Sequence, residues 1–505
     1  MIQARLAQVL RLLRPDVAVP TILQVHDHAG QARARELEGH GATVTYVART
    51  VPQVHADMDE PTIQSILRGG PPATVWYDEP TYAFCASPLH STADEIRRRV
   101  EARVKLNTGG NPHPVGSSVV RAHLAAGPPI RLQAEDLLYT LEDVRRHTNS
   151  KALHDDGLTG RSTTVAVIDT GIDGGHPMLA GRVASAKTFV PEPAGQDGAG
   201  HGTWVASCIA GQPTTYQGKV EAFRGQTLQG MAPDATLRDY RALTSEGSGS
   251  TSSVIQALEA AIQDEVNLIN MSLGSLWGGA GQTPDAQVVN EAARRGIHVV
   301  VAAGNAYGWL TIGSPGSAAG AITVGSVAMR APHPGAVSLF SSKGPTAGAL
   351  IKPTIAAPGG NLRPGEAILG ATARGSVIDR ESMDGGWALM RGTSMATPVV
   401  TGILAQLVPA GLPKSREALE EALANATTGD LWGVRLGPKN NRVGWGPIDA
   451  SRLRAALQRP AGPLVKLYGA FLDRRTRPLL GGGLDVGAAL QRLPTRPDAI
   501  RWPTI

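Results

Sequence analysis

The chain has 505 residues, of which 42% are hydrophobic and 18% are charged, with 60 Gly and 36 Pro. This composition excludes a coiled coil and a disordered chain, and it is typical of a compact, loop-rich α/β protein. The net charge of +5 is not gathered into a long basic run, so the sequence favours a solvated surface over a nucleic-acid-binding one.

Residues 1–19 interleave arginines with leucines and lack the apolar core and cleavage site of a secretory signal. No later run reaches the apolar length of a membrane span. The two cysteines, Cys85 and Cys208, predict no disulfide framework. We therefore expect a monomer without nucleic-acid or membrane partners, cytoplasmic by default and secreted as the alternative.

The segment 20–84 alternates short strand-like and helix-like pieces. Hydrophobic periodicity predicts strands at 21–26, 42–48, 51–58 and 73–80, and helices at 31–41 and 61–70. A small N-terminal α+β domain is therefore expected. The segment 85–150 is predicted to be a linker and the entry to a larger domain, with helix candidates in "STADEIRRRVEARV" and "EDLLYTLEDVRRH".

Residues 151–455 carry a longer alternation. Strands are predicted at 163–169, 266–274, 297–305 and 321–327, and helices at 201–211, 254–264 and 288–296. Another helix begins near Ser394, and Pro398 fits its first turn. The pattern predicts an α/β fold with a doubly wound, mostly parallel sheet and a ligand site at the carboxyl ends of its strands. Residues 456–505 form a C-terminal extension of unknown role.

The residues at these strand ends and helix starts carry chemistry. Asp169, Ser272 to Gly274 and Asn305 follow strands, while His201 and Ser394 open helices. Each alone is an ordinary cap or turn residue. Together they supply a nucleophile, a base, a carboxylate to orient the base and an amide to bind an oxyanion, so their joint occurrence favours a catalytic site.

Four motifs resemble those of the subtilases, the subtilisin-like serine proteases. They are "VAVIDTGIDGGHP", "GHGTWVAS", "VVAAGN" and "GTSMATPVVTG", in that order within residues 160–455. The resemblance implies a subtilisin-like fold and a serine endopeptidase that acts on proteins or peptides. It also implies a triad of Asp169, His201 and Ser394, with Asn305 and the Ser394 N–H forming the oxyanion hole.

The resemblance further implies how substrate binds. The substrate would add as a β-strand between two segments, formed by Gly247, Ser248, Gly249, Ser272, Leu273 and Gly274. Gly313 matches the floor of the main specificity pocket. A pocket floor without a side chain implies broad specificity, with a preference for a large apolar residue before the scissile bond.

The N-terminal domain resembles the subtilase propeptide, an intramolecular inhibitor whose tail occupies the cleft. "TYAF" (81–84) is the candidate tail, and Phe84 would suit the pocket. A self-processing zymogen is therefore expected, with an ordinary accessory domain as the alternative. The distance along the chain from Phe84 to Asp169 leaves room for cleavage further along.

Two positions depart from the family pattern. Trp204 stands where a second histidine is usual, which we expect to alter packing rather than activity. Met178 replaces an aspartate that binds calcium in many members, and a thioether is a poor ligand for calcium. No cofactor is therefore predicted, and calcium remains an alternative.

Two other functions compete with the protease hypothesis. One is a catalytically silent subtilase fold that serves as a binding protein. The other is an α/β-hydrolase esterase, which the sequence disfavours because it has no G-x-S-x-G elbow and places Asp before His before Ser.

Overall fold

A computed structural model of the chain describes residues 18–25, 30–69, 73–83, 137–275, 280–329, 335–362, 365–382, 384–426, 430–431, 434–435 and 439–458, together with Leu6 and Leu10. All of them belong to one unit, Met1–Arg459. Phe84, the segment 85–136 and most of the predicted C-terminal extension lie outside the described residues. Among the described helices, none combines the length and hydropathy needed to cross a bilayer.

The N-terminal module, residues 18–83, contains five strands and two helices. They are β1 (Val19–Val25), α1 (Gly30–Gly39), β2 (Thr43–Val47), β3 (Gln53–Met58), α2 (Glu60–Gly69), β4 (Ala73–Tyr77) and β5 (Pro80–Ala83). The first four strands form an antiparallel sheet in the order β2-β3-β1-β4. The small α+β domain expected from the sequence is therefore present.

The two faces of this sheet are buried differently, because side chains alternate along each strand. Val54 and Ala56 of β3 pack in the module's own core with α1 and α2. Ile22 of β1 belongs instead to a cluster with side chains of the larger part of the chain. The second face of the sheet is thus an interface rather than a solvent-exposed surface.

The larger part of the chain, residues 137–458, contains the remaining elements. Its strands are β6 (Leu137–Thr140), β7 (Thr164–Asp169), β8 (Val183–Thr188), β9 (Thr214–Thr215), β10 (Thr227–Leu228), β11 (Thr236–Arg241), β12 (Ser248–Ser250), β13 (Leu268–Met271), β14 (Leu273–Gly274), β15 (His298–Ala302), β16 (Ile322–Val327), β17 (Ile355–Pro358), β18 (Asn361–Leu362), β19 (Gly365–Ala371), β20 (Trp387–Met390), β21 (Asp430–Leu431) and β22 (Val434–Arg435). Its helices are α3 (Leu141–His147), α4 (Ser150–Asp155), α5 (His201–Ala210), α6 (Thr251–Gln263), α7 (Pro284–Arg294), α8 (Val377–Ser382), α9 (Thr393–Leu407), α10 (Arg416–Ala426) and α11 (Ala450–Leu457).

Seven parallel strands form the central sheet, in the order β17-β16-β15-β13-β7-β11-β8. The order in which strands are added to the sheet changes sides at β7. β8 and β11 lie on one side of β7, and β13, β15, β16 and β17 lie on the other. Crevices at such switch points, outside the carboxyl ends of the strands, are where ligands bind in this class of fold. The predicted α/β class with a mostly parallel sheet is confirmed, and Asp169 ends the strand at the reversal.

Helices cover both faces of the sheet. α9 is buried along its whole length and packs with α5 in the largest apolar cluster, whereas α6 and α7 pack in a second cluster on the other face. Ser250 begins α6 with a side-chain cap on the Ser253 N–H. Two covered faces explain why the central strands are apolar throughout instead of alternating with polar residues.

Two local expectations from the sequence were wrong, and β11 is among the strands that were not predicted. Residues 137–140, predicted as helix, form β6, because they pair with β19 and Thr140 then caps α3. The single strand expected over 266–274 is two strands, β13 in the central sheet and β14 outside it. β11 was not predicted, since its buried face includes Asp239 and Arg241, which hide an apolar pattern.

The buried side chain of His55 should make the stability of the module sensitive to acid. Its side chain is 1% exposed, stacks edge-on against Tyr46 at 5.1 Å, and has no hydrogen-bond partner on either ring nitrogen within the described residues. Burial lowers its pKa to about 4. As pH falls from 6.5 toward 4, an unfolded His55 gains a proton that the folded, buried one excludes, so stability present above pH 6.5 is lost.

We therefore expect the free energy of unfolding of the module, measured with urea, to be up to about 3 kcal/mol lower at pH 4 than at pH 7. In His55→Phe this His55-dependent loss should disappear. Asp78, whose pKa burial raises to about 6, contributes with the opposite sign but is common to both proteins. An identical pH dependence of unfolding in the two proteins would contradict the expectation.

Candidate active site

Asp169 and His201 form a buried hydrogen bond at the carboxyl edge of the sheet. The His201 Nδ1–H donates to Asp169 Oδ1 over 2.7 Å, and both side chains are 0% exposed. Because Nδ1 carries the donated proton, Nε2 is the nitrogen that can accept one. Nε2 is buried and has no hydrogen-bond partner among the described residues.

Glycines let the two elements that carry this pair approach each other. A Cβ on Gly202, in the first turn of α5, would lie 2.1 Å from the Gly171 carbonyl oxygen. Gly171 has a φ of 108°, a backbone conformation that residues with a side chain rarely adopt. A Cβ there would lie 2.0 Å from the Gln196 carbonyl oxygen. The glycines beside Asp169 and His201 in the two motifs therefore permit close packing.

Ser394 is the second residue of α9 and is fully buried. Its hydroxyl donates to the Ser272 carbonyl oxygen over 2.8 Å. The Ser272 hydroxyl donates in return to the Ser394 carbonyl oxygen over 3.0 Å. The predicted nucleophile is therefore hydrogen-bonded directly to one of the predicted substrate-binding segments.

Pro398 has a different role from the one its sequence position indicates. α9 begins at Thr393, so Pro398 is its sixth residue and lies beyond the first turn. A proline has no N–H to donate to the carbonyl four residues earlier, which here belongs to Ser394. That carbonyl accepts the Ser272 hydroxyl instead. The proline thus frees the acceptor that joins α9 to the segment after β13.

Asn305 lies just beyond β15 and is anchored on the residue before Ser394. Its Oδ1 accepts from the Thr393 N–H over 3.0 Å and from the Thr393 hydroxyl over 2.9 Å. Since the acceptor end of the amide faces Thr393, the Nδ2 donor end points away from it. Backbone N–H groups in the first turn of a helix have no intrahelical acceptor, so a second donor lies close by at the start of α9.

β5 of the N-terminal module pairs with both predicted substrate-binding segments. It lies between β12 and β14 in a three-stranded antiparallel sheet. The register pairs Pro80 with Ser250, Thr81 with Gly249, Tyr82 with Ser248 and Gly274, and Ala83 with Leu273. The Ala83 N–H also donates to the Gly247 carbonyl oxygen over 3.0 Å. A strand of the chain itself therefore occupies both segments.

The residues proposed for the specificity pocket are only partly described. Gly313 is buried, its N–H donates to the Ala303 carbonyl oxygen over 3.4 Å, and its carbonyl accepts from the Ser317 N–H over 2.9 Å. Phe84, the predicted occupant of that pocket, lies outside the described residues. The preference for a large apolar residue therefore stays a prediction.

The position of the usual calcium ligand does not suit a hard cation. Met178 is 0% exposed and belongs to the largest apolar cluster. Within the described residues, no group of three His, Cys, Asp or Glu side chains is arranged to hold a metal. The chemistry of Met178 offers calcium no oxygen, so no step of a reaction is assigned to a metal at this position.

Sequence reasoning missed three polar side chains that hold the site. Thr393 anchors Asn305, and Thr170 donates its N–H to Asp169 Oδ1 over 2.8 Å. Asp197 accepts from four donors around the start of α5. The two threonines adjoin predicted site residues, which was a usable signal, whereas Asp197 stands in a glycine-rich loop without one.

Comparison with known proteins places this arrangement in a family. Residues 160–446 match the model of the Subtilase family. Serine protease AprX of Bacillus subtilis is 34% identical over 296 residues, which cover 54% of this chain and 63% of the relative. M-protease of Shouchella clausii is 36% identical over 282 residues, covering 55% and 62%.

Subtilisin E of Bacillus subtilis is 34% identical over 280 residues, which cover 54% of this chain and 62% of the relative. The chain therefore spans about three-fifths of the length of these three relatives. The family model, by contrast, matches more than half of the chain. The protein belongs to the subtilase family of serine proteases.

Proposed function

We propose that the protein is a serine endopeptidase that hydrolyses peptide bonds in proteins and peptides. The buried 2.7 Å contact between His201 and Asp169, at the same sheet edge as Ser394, carries the proposal. The names of the relatives, which include serine and alkaline proteases, support it. None of these contacts requires a metal or an organic cofactor.

In the proposed reaction the Ser394 hydroxyl attacks the scissile carbonyl carbon, and His201 Nε2 takes the hydroxyl proton. Asp169 holds the imidazole through Nδ1–H and stabilises the imidazolium ion. His201 then gives the proton to the leaving amine, and a water repeats the sequence to release the acid product. The Ser394 hydroxyl must first rotate from the Ser272 carbonyl toward Nε2, as catalytic hydrogen bonds often form only when substrate binds.

The proposed oxyanion hole has two donors, the Asn305 Nδ2 and the Ser394 N–H. Support comes from the Thr393 contacts, which direct the Asn305 amide, and from the helix start, which supplies an N–H and the positive end of the helix dipole. Fixed donors of this kind stabilise the negative charge that develops on the carbonyl oxygen in the transition state.

We further propose that the N-terminal module is a propeptide and that β5 is its inhibitory tail. β5 makes the main-chain pairing that a substrate strand would make with β12 and β14. β5 ends at Ala83, so the peptide bonds that follow Ala83 are the candidates for self-cleavage. An inhibitor held in this way would make the chain a zymogen.

A second contact supports docking of the module outside the cleft. The Glu259 carboxylate on α6 is 1% exposed and accepts from the Arg49 N–H over 2.9 Å and the Thr50 N–H over 2.5 Å. The hydroxyls of Tyr46 and Thr50 donate to the same carboxylate. A buried carboxylate that accepts four hydrogen bonds across one interface stabilises docking far more than an exposed ion pair would.

The broad specificity that we propose follows from the same pairing, because main-chain hydrogen bonds do not depend on substrate sequence. Gly313 supports a preference for a large apolar residue before the scissile bond. Nothing in the fold favours the cytoplasmic default over secretion, so the compartment stays a prediction, as does the monomeric state.

The proposal predicts two mass changes. The purified wild-type chain should be shortened by self-cleavage after Ala83 or further along, and it should gain one fluorophosphonate adduct at Ser394. Ser394→Ala should stay full-length and unlabelled, because both reactions need the same hydroxyl. Intact-mass spectrometry with and without the reagent measures both.

A folded, full-length wild-type chain that takes no label would contradict the self-processing endopeptidase and leave a locked zymogen or the silent subtilase fold. A labelled chain that stays uncut would contradict the zymogen alone. The masses also give the residue before the cleaved bond, and a charged residue there would contradict the specificity.

Asn305→Ala should lower kcat by about 100- to 1000-fold with little change in KM, a magnitude known from this family. The donor is used only when charge develops on the oxygen, so substrate binding should be largely spared. Steady-state kinetics on a peptide ester and a peptide amide measure the effect. Equal losses in kcat and in binding would contradict an oxyanion role.

Glu259→Gln should weaken docking of the module, because it removes the charge and puts an amide group among four donors. We expect labelling at Ser394 to develop roughly tenfold faster or more after self-cleavage. Glu265→Gln, an exposed carboxylate just beyond α6, is the matched control and should not change the rate. Equal rates in both variants would show that docking does not limit activity.

A further inference from the structure

Resting on the proposed function, we infer that Asp197 and Thr170 form a clasp that positions His201 and Asp169 for catalysis. Neither residue is a member of the triad or of the oxyanion hole. We call the pair, with its hydrogen bonds, the Asp197 clasp. Both side chains lie in the buried interior beside the triad, with Thr170 at 0% and Asp197 at 6% exposure.

The clasp holds the backbone on both sides of His201. Asp197 Oδ1 accepts from the Gly200 N–H over 2.7 Å. Asp197 Oδ2 accepts from the Thr203 N–H over 2.9 Å and from the Thr203 hydroxyl over 2.7 Å. These are donors at the start of α5, which have no intrahelical acceptor of their own. The residues before and after His201 are thus tied to one carboxylate.

Thr170 links the same carboxylate to the triad aspartate. Its hydroxyl donates to Asp197 Oδ1 over 2.8 Å and accepts from the Gly202 N–H over 2.9 Å. Its N–H donates to Asp169 Oδ1 over 2.8 Å, the oxygen that also accepts from His201 Nδ1. One threonine therefore contacts Asp169 at the end of β7, the first turn of α5 that carries His201, and Asp197.

The contacts define which form of Asp197 fits. All four groups around it donate, so two acceptor oxygens are required. An asparagine would direct an NH₂ group at one backbone N–H, either that of Gly200 or that of Thr203. A threonine hydroxyl can rotate to accept, but a backbone N–H cannot. Asp197→Asn should therefore loosen the first turn of α5 without changing side-chain volume.

A small displacement of His201 is enough to matter. Catalytic groups that move by about 1 Å can lose about 100-fold in rate, because attack geometry and proton transfer depend on alignment. Within the described part of the chain, the hydrogen bonds of the clasp join Asp169, Gly200, Gly202 and Thr203 and not the predicted substrate-binding segments. A clasp defect should therefore appear in kcat and leave KM nearly unchanged. We therefore describe Asp197 and Thr170 as positioning residues rather than catalytic ones.

The first test is kinetic. In the full chain we expect Asp197→Asn and Thr170→Val each to lower kcat and the rate of fluorophosphonate labelling by roughly 10- to 100-fold, with KM within about threefold. Thr170→Ser keeps the hydroxyl and should recover most of the rate. Asp239→Asn is the matched control, since Asp239 is 1% exposed and near Asp197 but accepts from the Ile172 N–H instead.

The second test does not need activity. In the Ser394→Ala background, the proton between His201 Nδ1 and Asp169 should give a far-downfield proton NMR resonance. We expect the resonance to persist with Asp239→Asn and Thr170→Ser and to broaden or vanish with Asp197→Asn and Thr170→Val. If wild type takes no label but these resonances behave as expected, the proposed function fails while the positioning role stands.

Folded Asp197→Asn and Thr170→Val proteins that keep the resonance and label at the wild-type rate would overturn the inference. So would a loss of rate in Thr170→Ser equal to that in Thr170→Val, since the hydroxyl would then be irrelevant. If Asp197→Asn does not fold, the Thr170 pair decides alone, with thermal unfolding verifying that both variants are native.

Discussion

The buried hydrogen bond between His201 and Asp169 is the constraint on which the rest of the site depends. Both side chains are fully removed from water, and the short hydrogen bond between them, together with the one from the Thr170 N–H to Asp169 Oδ1, offsets the loss of their hydration. Such a contact requires that β7 and α5 meet closely at the carboxyl edge of the sheet. The glycines at 171 and 202 allow that approach, and β7 is the strand at which the winding of the sheet reverses, where this class of fold places its ligand site.

The same edge gathers the other groups through contacts between secondary-structure ends. Ser394 and Ser272 exchange hydrogen bonds between their hydroxyls and carbonyls, and Thr393 fixes the amide of Asn305. Each contact joins the start of α9 to the end of a different strand. Because α9 is buried along its whole length, the position of its first turn is set by the core and not by solvent-exposed loops.

Much of the fold could be predicted from the sequence, because the central strands are apolar. The placing of Asp169 and Asn305 after strands, and of His201 and Ser394 at helix starts, could be predicted as well. What failed was non-local. β6 becomes a strand only because β19 pairs with it, and the role of Pro398 depends on a hydroxyl 126 residues earlier in the chain, that of Ser272. Asp197 was missed because neither a hydrophobic period nor a neighbouring motif residue marks a capping carboxylate in a loop.

The seating of β5 between β12 and β14 has a consequence in mass action. Under the inhibitory role that we propose for β5, the strand is present at the cleft at an effective concentration on the order of millimolar while the module is covalently joined to the larger part of the chain, so weak pairing would suffice to exclude substrates. Once the connection is cut, that local excess is lost and only the bulk concentration of released module opposes dissociation. Dilution would then favour the open cleft, whereas crowding at the site of synthesis would keep it closed.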